Sequence, residues 1–510
     1  MTMTAVRRIS WDPVFDPALF VNREPEKKLF FETVRARTKR SYLEFTGVAG
    51  QGKSELLKWV YHNAEQEDCL AAYIDFEYPQ YHRPEIYPIL ETIVEQLSSK
   101  CDNTAFQEFQ TQLPVYQEQL RNFYRATLDN PKTADRRGLQ DIENRLIATF
   151  NRELQQILAA HKIVLCLDST EKAYLIALRS FEDQILRRHA DNPRFFLITA
   201  GQEKLAWKTD EIKQLVKRHE LPVLDARGVQ EQITRLAQKK GFALQDAEQI
   251  SGKIAELTLG HPFSNYKLVD FWTNGFDRAL DKEVVDNRFG NGIQNLISSI
   301  IEDRILENLE LGPEYPPARE ILWYLAPLRR IEFGTLWYML STFLGKWFQN
   351  QPFEFFEHLM DKFQKKRIFR PWQLGVGYDL EPVVWNILRY DMRVNARRED
   401  YISIERTLAD QYDQWVQQSR DATQIKNIIE QLYHSANYLR ETDPEHVNLR
   451  LQERLEDYVQ RYFTKDFAGG EIALREQRQR LSNELTQDRE LADLNVDIAS
   501  LQQAIRNSID

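Results

Sequence analysis

The chain has 510 residues, of which 42% are hydrophobic and 28% are charged, and its formal net charge is -10. This length predicts three or four domains, and this composition is that of an ordinary globular protein. The negative charge argues against a protein whose main role is to coat nucleic acid, although it leaves room for a local basic patch.

The cysteines and the hydropathy restrict the compartment. Cys69, Cys101 and Cys166 lie far apart and have no metal-ligand spacing, which favours a reducing environment without a disulfide framework. Residues 1–8 lack the apolar core of a signal peptide. No stretch reaches the roughly 18 continuous apolar residues of a membrane span. The sequence therefore predicts a cytoplasmic protein without a membrane partner.

Alternating strands and helices are predicted for residues 41–224, after an N-terminal lead-in over residues 1–40. The candidate strands are short apolar runs bounded by polar or turn residues, as in a parallel sheet covered on both faces. Helical patterns separate them, which is the βαβ arrangement of an α/β domain. A long polar segment at 101–160, punctuated by Pro114 and Pro131, predicts a helical insertion. The four candidate strands are 42–45, 70–76, 163–167 and 195–199.

A phosphate-binding loop is predicted by Gly47-Val48-Ala49-Gly50-Gln51-Gly52-Lys53-Ser54, which fits the pattern G-x-x-x-x-G-K-[ST] at every fixed position. It follows the first candidate strand, and a helical pattern begins at Glu55. Glycines let backbone N–H groups surround phosphates, and the helix N-terminus adds a partial positive charge. In such a loop Lys53 reaches the β- and γ-phosphates and Ser54 binds Mg²⁺. The loop predicts binding of ATP or ADP with Mg²⁺.

A second nucleotide element is predicted where the third candidate strand ends in an acid, Asp168. In phosphate-loop enzymes this acid holds the Mg²⁺ shell, whereas in isolation it would be interpreted as a helix cap. Glu171 is the candidate general base, with an ordinary surface glutamate as the alternative. Ser169 stands where many such ATPases carry a second acid, so slow hydrolysis is expected. At the end of the fourth strand, Thr199 or Gln202 is a candidate sensor of the γ-phosphate.

The rest of the chain is predicted to be mostly helical. Residues 225–314 are expected to form a helical lid domain. Residues 315–400 have the order of a winged helix, with a β-hairpin pattern at 372–380, and their many aromatic side chains are interpreted as core. Residues 401–510 are expected to form a helical region, whose last apolar seam predicts a terminal helix docked on its neighbours.

Four features in chain order resemble the STAND class of P-loop ATPases, which includes NACHT and AP-ATPase-like signalling proteins. Residues 20–26 (FVNREPE) are similar to the class signature F-x-G-R-E-x-E, with Asn22 where glycine is usual. The phosphate loop follows, then 168–171 as the D-x-x-[DE] acid motif, then Gly260-His261-Pro262 as the G-x-P motif. The resemblance covers about residues 15–400. It implies an α/β P-loop NTPase domain, followed by a helical lid, a winged-helix domain and a C-terminal helical region.

The resemblance also implies nucleotide contacts outside the loop. Phe20 and Val21 would lie beside the adenine, and Pro262 would pack on the base or sugar, with a plain helix breaker as the alternative. The winged helix of the class holds ADP through a histidine, where this chain has Glu381, and the fourth strand often ends in arginine, where this chain has Gln202. The candidate catalytic residues are Lys53, Asp168 and Glu171, and the candidate nucleotide contacts are Phe20, Val21, Arg23, Gly47, Gly50, Gln51, Gly52, Lys53, Ser54, Glu55, Thr199 and Pro262.

These observations lead to the expectation of a nucleotide-dependent switch that binds and slowly hydrolyses ATP and assembles with a protein partner or with itself. A role in bacterial antiviral defence is a hypothesis by analogy with the class. One alternative is an ATPase that loads onto DNA through the winged helix, using the basic run 362–370. For that run, one alternative is lysine and arginine stems that cover a core, and the intramolecular regulation that the resemblance implies is favoured over a DNA-contacting face. The other alternative is a scaffold that holds nucleotide without turnover.

Overall fold

The computed structural model describes residues 13–17, 19–36, 41–101, 105–129, 136–273, 279–280, 282–306, 309–365, 368–371, 377–395, 397–463 and 470–507. Two compact units divide the chain, one within residues 1–307 and the other within residues 308–510.

A five-stranded parallel sheet forms the centre of the first unit. Its strands are β1 (Tyr42–Thr46), β2 (Cys69–Asp75), β3 (Lys162–Asp168), β4 (Phe195–Gly201) and β5 (Val216–Glu220). The strand order is β2-β3-β4-β1-β5, and every neighbouring pair is parallel. The four predicted strands are thereby confirmed. The fifth, β5, lies at the edge of the sheet, where a strand of mostly polar residues remains solvated on one side.

Helices cover both faces of the sheet because the inner strands are apolar on both sides. On one face, α1 (Glu24–Arg35) and α2 (Lys53–Asn63) share a core with Phe45 and Val164. On the other face a larger core includes Leu165. The remaining helices of this part are α3 (Tyr87–Ser98), α4 (Gln107–Asp129), α5 (Arg136–Ala160), α6 (Leu175–Phe181), α7 (Arg187–His189) and α8 (Asp210–Leu215), with short 3-10 turns at Ala64–Glu67, Pro79–Tyr81 and Thr170–Lys172 and a π-helical turn at Glu182–Leu186.

Two long helices, α4 and α5, occupy the span of the predicted insertion. They run antiparallel, since Glu153 near the end of α5 accepts a hydrogen bond of 3.0 Å from the Phe109 N–H at the start of α4. Pro114, expected to punctuate this segment, lies inside α4 instead. The prediction of a break at this proline was wrong, because Leu113 and Tyr116 beside it are buried in the larger core and hold the helix past it.

A helical group follows the sheet within the first unit. Its elements are α9 (Ala226–Lys239), β6 (Ala243–Leu244), α10 (Ala247–Thr258), α11 (Pro262–Thr273), β7 (Ala279–Leu280), α12 (Lys282–Leu296) and a π-helical segment, Ile297–Ile305. Helix α9 begins at an N-cap, Asp225, whose carboxylate accepts a bond of 2.7 Å from the Gly228 N–H. Helices α9 to α12 are the residues predicted to form the lid, and they are called the lid below.

A short linker joins the sheet to the lid. Leu221 N–H donates to the Thr46 carbonyl at 2.8 Å, and Leu224 N–H donates to the Gly260 carbonyl at 2.9 Å. Gly260 has φ 77°, and a Cβ added there would lie 2.0 Å from the Leu224 carbonyl oxygen. Only glycine therefore fits at this contact between the linker and the lid.

The second unit begins with three short strands among helices. In chain order the elements are α13 (Ala318–Leu325), β8 (Ile331–Glu332), α14 (Phe333–Phe343), α15 (Gly345–Phe348), α16 (Phe353–Lys365), β9 (Phe369–Pro371), β10 (Gly377–Leu380) and α17 (Pro382–Val394). Strand β10 pairs antiparallel with both β8 and β9. Strand β10 lies within the hairpin pattern predicted at 372–380, whereas its partner β9 precedes that pattern and falls at the end of the basic run. Residues 372–376 of that pattern lie outside the described residues. Of the aromatic residues expected to be core, Trp323 and Phe356 are buried, whereas Trp337 and Phe353 are exposed.

The end of the chain is helical, as predicted. It comprises α18 (Arg398–Gln418), α19 (Asp421–Thr442), a 3-10 turn (Pro444–His446), α20 (Val447–Tyr462), α21 (Gly470–Gln487), α22 (Arg489–Asp493) and α23 (Ile498–Asn507). The last apolar seam belongs to two short helices rather than to one, and Leu491 and Leu501 pack in the shared core. Within the described residues, no helix combines the length and the apolar character needed to cross a membrane.

Candidate functional site

The phosphate loop connects β1 to α2 and depends on two glycines. Gly50 and Gly52 have left-handed backbones, with φ of 86° and 88°. At Gly52 the backbone conformation alone requires glycine, because nothing lies within 4 Å of an added Cβ. Gly52 is also the N-cap of α2 and offers no side chain to its first N–H groups. The start of α2 is therefore suited to an anionic ligand.

Lys53, the first residue of α2, folds back over the loop. Its ammonium donates to the carbonyls of Gly47 and Val48, at 2.8 Å each. The side chain is buried, so its charge lies within the loop rather than in solvent. A fixed ammonium in this position attracts phosphate oxygens more strongly than one in water, because the local dielectric is lower.

The lid also contacts the loop. His261 Nε2 lies 2.8 Å from the Ala49 carbonyl oxygen, and the Phe263 N–H donates to the Gly50 carbonyl at 3.2 Å. His261 Nδ1 lies 2.7 Å from the Ser264 hydroxyl. His261 is buried at the junction between the loop and the N-terminus of α11.

Arg23 contacts the loop from the N-terminal segment. Its guanidinium donates to the carbonyl of Gln51 at 2.8 Å and to that of Pro222, in the linker, at 2.5 Å. Asn22 and Arg23 have φ of 61° and 73°, in the left-handed region, which asparagine tolerates better than most residues other than glycine. The Asn22 amide donates to Asp225, the N-cap of α9, at 3.2 Å.

Three successive carbonyls, those of Ala49, Gly50 and Gln51, are thus bonded to the lid and to the N-terminal segment. The C=O and N–H of a trans peptide point in opposite directions. The N–H groups of Gly50, Gln51 and Gly52 therefore point away from these donors. The Gln51 N–H makes a long bond of 3.4 Å to the Val48 carbonyl. Such a row of N–H groups is a known form of anion site.

Asp168 ends β3 beside the loop. Its carboxylate is hydrogen-bonded to the Ser54 hydroxyl, accepts a bond of 2.6 Å from the Tyr73 hydroxyl and accepts one of 2.9 Å from the Ser169 N–H. Burial raises the pKa of Asp168 to about 6, and the nearby Asp75 acts in the same direction. A cation would favour the ionised form, so the pair of Ser54 and Asp168 fits Mg²⁺ held jointly with phosphate oxygens. No cluster of three or more His, Cys, Asp or Glu side chains suited to a metal occurs in the described ranges.

Glu171 and Thr199 lie near the carboxyl ends of β3 and β4. Glu171 is exposed, and its carboxylate accepts a bond of 2.9 Å from the Gln202 N–H. The Thr199 hydroxyl is buried and has no hydrogen-bond partner among the described protein groups. Thr199 is paired in register with Leu167. Because side chains alternate along a strand, Thr199 points to the face of the sheet opposite Asp168.

The other predicted contacts lie in the loop, in α2, in the N-terminal segment and at the start of α11. Phe20 stacks on Trp59 of α2, with 6.2 Å between ring centroids, and Val21 is buried. Glu55 is exposed and pairs with a lysine one turn along α2. The Gln51 side chain is buried, and its Oε1 atom has no partner among the described protein groups. Pro262 is the first residue of α11, where a missing N–H is tolerated.

Glu381, expected near the nucleotide through the resemblance, is the buried N-cap of α17. Its carboxylate accepts bonds of 2.9 and 3.0 Å from the N–H groups of Val383 and Val384. Arg370 lies 3.6 Å from its other oxygen. Burial raises the pKa of Glu381, and both the helix and the arginine counteract that rise.

Sequence reasoning missed Tyr73, His261 and Phe263 as parts of this site. Tyr73 is a polar residue two positions before the end of β2, which is a signal that its hydroxyl needs a partner. His261 belongs to the G-x-P motif, in which the resemblance assigns a role to the proline alone. Its partner Ala49 lies 212 residues away, and no local pattern reports a contact at that separation.

The sheet order, the loop and the pair of Ser54 and Asp168 define a P-loop NTPase domain flanked by helices. No family model matches the sequence, and no curated protein is similar to it. Among solved structures, the chain is similar to the RuvB Holliday junction branch migration motor of Thermotoga maritima. The identity is 12%, with 72% of this chain and 95% of that chain covered, at a TM-score of 0.34. The chain is also similar to Cdc6p from Pyrobaculum aerophilum. The identity is 15%, with 74% of this chain and 99% of that chain covered, at a TM-score of 0.37. Neither likeness is high enough to transfer a substrate or a partner.

Proposed function

We propose that this chain is an ATP-dependent switch, which binds ATP with Mg²⁺, hydrolyses it slowly and changes its domain packing and partner assembly with the nucleotide bound. The observation that supports this most directly is the bonding of three loop carbonyls to the lid and the N-terminal segment. A nucleotide that binds the loop more tightly in one lid position shifts the equilibrium toward that position. A loop joined in this way is suited to report its ligand to the rest of the chain.

The residues of the site divide the chemistry among them. Lys53 and the loop N–H groups would hold the β- and γ-phosphates, while Ser54 and Asp168 would hold Mg²⁺, which neutralises charge on the phosphate oxygens. Glu171 would accept a proton from the attacking water. Its exposed position and its bond to the Gln202 N–H support slow rather than rapid turnover, because the carboxylate is already engaged.

The first part of the second unit we assign to a winged helix, from the order of its helices and its three antiparallel strands. Its surface supports regulation or protein binding more than DNA binding. In the basic run 362–370, Lys362 donates to the Leu311 carbonyl and Arg370 pairs with Glu381. Helix α16 exposes three acids, which would repel phosphate: Glu354, Glu357 and Asp361. Loading onto DNA is therefore the second candidate.

Partners and cellular role rest on the class resemblance alone. A protein partner or a second copy of the chain would receive the switched state, and a role in antiviral defence remains a hypothesis by analogy. The alternative of a scaffold without turnover is supported by Ser169, which stands where a second acid is common.

The test is the mass of the protein by light scattering, with ADP and with a non-hydrolysable ATP analogue, alongside calorimetry and phosphate release. The wild type should bind both nucleotides with Mg²⁺ and have a larger mass with the ATP analogue. Lys53→Ala should lose binding by about 100-fold or more and lose the difference in mass, since two charge-assisted interactions are removed. Lys58→Ala, five residues further along α2, is the matched control. Equal mass with both nucleotides, together with tight binding and no phosphate release, would favour the scaffold.

A further inference from the structure

We infer that His261 is a positioning residue, through which the lid holds the phosphate loop in its anion-binding conformation. The inference rests on the proposed nucleotide function and adds a route by which the lid regulates affinity. It starts from one contact: His261 Nε2 lies 2.8 Å from the Ala49 carbonyl oxygen, and the imidazole is 1% exposed.

The tautomer of His261 follows from its partners. The Ala49 carbonyl only accepts hydrogen bonds, so Nε2 carries the proton and donates. The Ser264 N–H, which can only donate, lies 3.3 Å from Nδ1, so Nδ1 is an acceptor, and the Ser264 hydroxyl lies 2.7 Å from the same atom. The neutral imidazole is thus oriented by the first turn of α11 before it reaches the loop, and its ring cannot turn away without breaking these bonds.

The bond to Ala49 fixes a peptide plane of the loop. Because the Ala49 carbonyl and the Gly50 N–H belong to one trans peptide, a carbonyl held toward the lid points that N–H the opposite way. Gly50, with φ 86°, is free of the steric barrier that limits other residues. An unrestrained Ala49–Gly50 peptide would therefore flip easily, and His261 supplies the restraint.

Hydrogen bonds within the lid hold the turn that carries His261. The Thr258 carbonyl accepts a bond of 2.9 Å from the His261 N–H, and the Thr258 hydroxyl accepts one of 3.2 Å from the Gly260 N–H. A crowded fit accompanies the bonds, since a Cβ on Gly50 would lie 2.7 Å from His261 Cε1 and 2.9 Å from Phe263 Cβ. The lid and the loop therefore form one packed junction.

A movement of the lid away from the sheet would remove the donor from Ala49 and release the Gly50 N–H from its phosphate-binding direction. By linkage, phosphate binding and lid closure then favour each other, with no direct contact between the lid and the phosphates. His261 acts through the loop backbone, so it touches neither the nucleotide nor the reacting atoms in this scheme.

The experiment measures amide hydrogen exchange of residues 47–53 in nucleotide-free protein, followed by the Kd for ADP with Mg²⁺. His261→Ala should raise exchange of the loop amides and weaken ADP about 10-fold. His261→Gln, whose amide can donate at a similar reach, should restore both. Gln232→Ala is the matched control: it removes lid bonds to Pro262 and Asn265 while keeping His261, and it should leave loop exchange near wild type.

Unchanged loop exchange in His261→Ala would overturn the inference, and so would equal loosening by Gln232→Ala, which would assign the effect to lid stability. A wild type that binds no nucleotide, combined with a loop that loosens in His261→Ala, would refute the proposed function and leave the coupling of lid and loop standing.

Discussion

Tyr73 and Asp168 lie on adjacent parallel strands, and the tyrosine hydroxyl donates to Asp168 Oδ2 across 2.6 Å. Tyr73 is paired in register with Cys166, which precedes Asp168 by two residues on β3. Because side chains alternate along a strand, Tyr73 and Asp168 lie on the same face of the sheet. The hydroxyl supports the ionised form of a carboxyl whose pKa burial raises to about 6. A buried aromatic side chain thereby helps to keep a candidate Mg²⁺ ligand charged near neutral pH.

Tyr73→Phe should weaken Mg²⁺-dependent nucleotide binding. Without the donor, the pKa of Asp168 rises further, so a larger fraction of the carboxyl is protonated at a given pH and the acid limit of Mg²⁺ binding moves upward. The Mg²⁺ concentration for half-maximal nucleotide binding at about pH 7 should increase about 10-fold. Tyr81→Phe, which removes another buried hydroxyl hydrogen-bonded to Thr92, is the control. Identical Mg²⁺ titrations for both variants would separate Tyr73 from the metal site.

Glu171→Gln should retain ATP binding and slow phosphate release by about 100-fold or more, because the amide cannot accept the proton of the attacking water. Its oxygen can still accept the bond from the Gln202 N–H, so the local structure should persist. Single-turnover phosphate release is the measurement, with Glu203→Gln, an exposed acid nearby, as control. A rate equal to that of the wild type would assign the base to another group.

Glu381→Ala should remove the cap of α17 and raise the oligomeric fraction observed with an ATP analogue, if the closed state of the switch depends on the start of this helix. Loss of an N-cap costs about 1 kcal/mol. Glu381→Asp retains a good capping side chain and should behave as the wild type. Light scattering with ADP and with the analogue measures the outcome, and the same mass for all three proteins would remove Glu381 from the switch.

His189 should make the first unit sensitive to acid. Its ring is buried beside Asn151, with Nε2 2.9 Å from Oδ1, and burial lowers its pKa to about 4. Since the unfolded chain has the higher histidine pKa, it binds more protons below about pH 6.5, and the free energy of unfolding falls as the pH drops toward 4. Between about pH 7.5 and pH 5 the free energy of unfolding of the wild type should fall by about 2 kcal/mol more than that of His189→Gln. Urea unfolding at both pH values tests this, and equal losses would contradict it.

The sequence alone was sufficient for the parts of the fold that depend on local pattern. Apolar runs predicted four strands. The fixed positions of the motif predicted the phosphate loop that carries Lys53 and Ser54. The edge strand β5 was not predicted, because its mostly polar residues, Val-Lys-Arg-His-Glu, have the pattern of a solvated loop. They form a strand through pairing with β1. Arg23 was predicted as a nucleotide contact, and its bonds to Gln51 and Pro222 depend on contacts 28 and 199 residues away.

Polar residues inside the sheet were the least predictable. Glu44 lies in the middle of β1, where its carboxylate accepts bonds from Leu205 N–H at 3.0 Å and from the Trp207 indole at 2.9 Å. The residues next to Glu44 in the sequence give no signal of these partners. Burial of a charge in a strand is favourable only when such donors are supplied, and they come from a loop 161 and 163 residues further on.

Gly260 bears on how the sequence can diverge. With φ 77° and the Leu224 carbonyl oxygen 2.0 Å from where a Cβ would stand, any other residue would wedge the linker away from the lid. Distant relatives that keep this lid placement should therefore retain glycine here while the residues around it change. A relative with a side chain at this position would be expected to have a differently seated lid, which makes this single site a marker of lid geometry among otherwise dissimilar sequences.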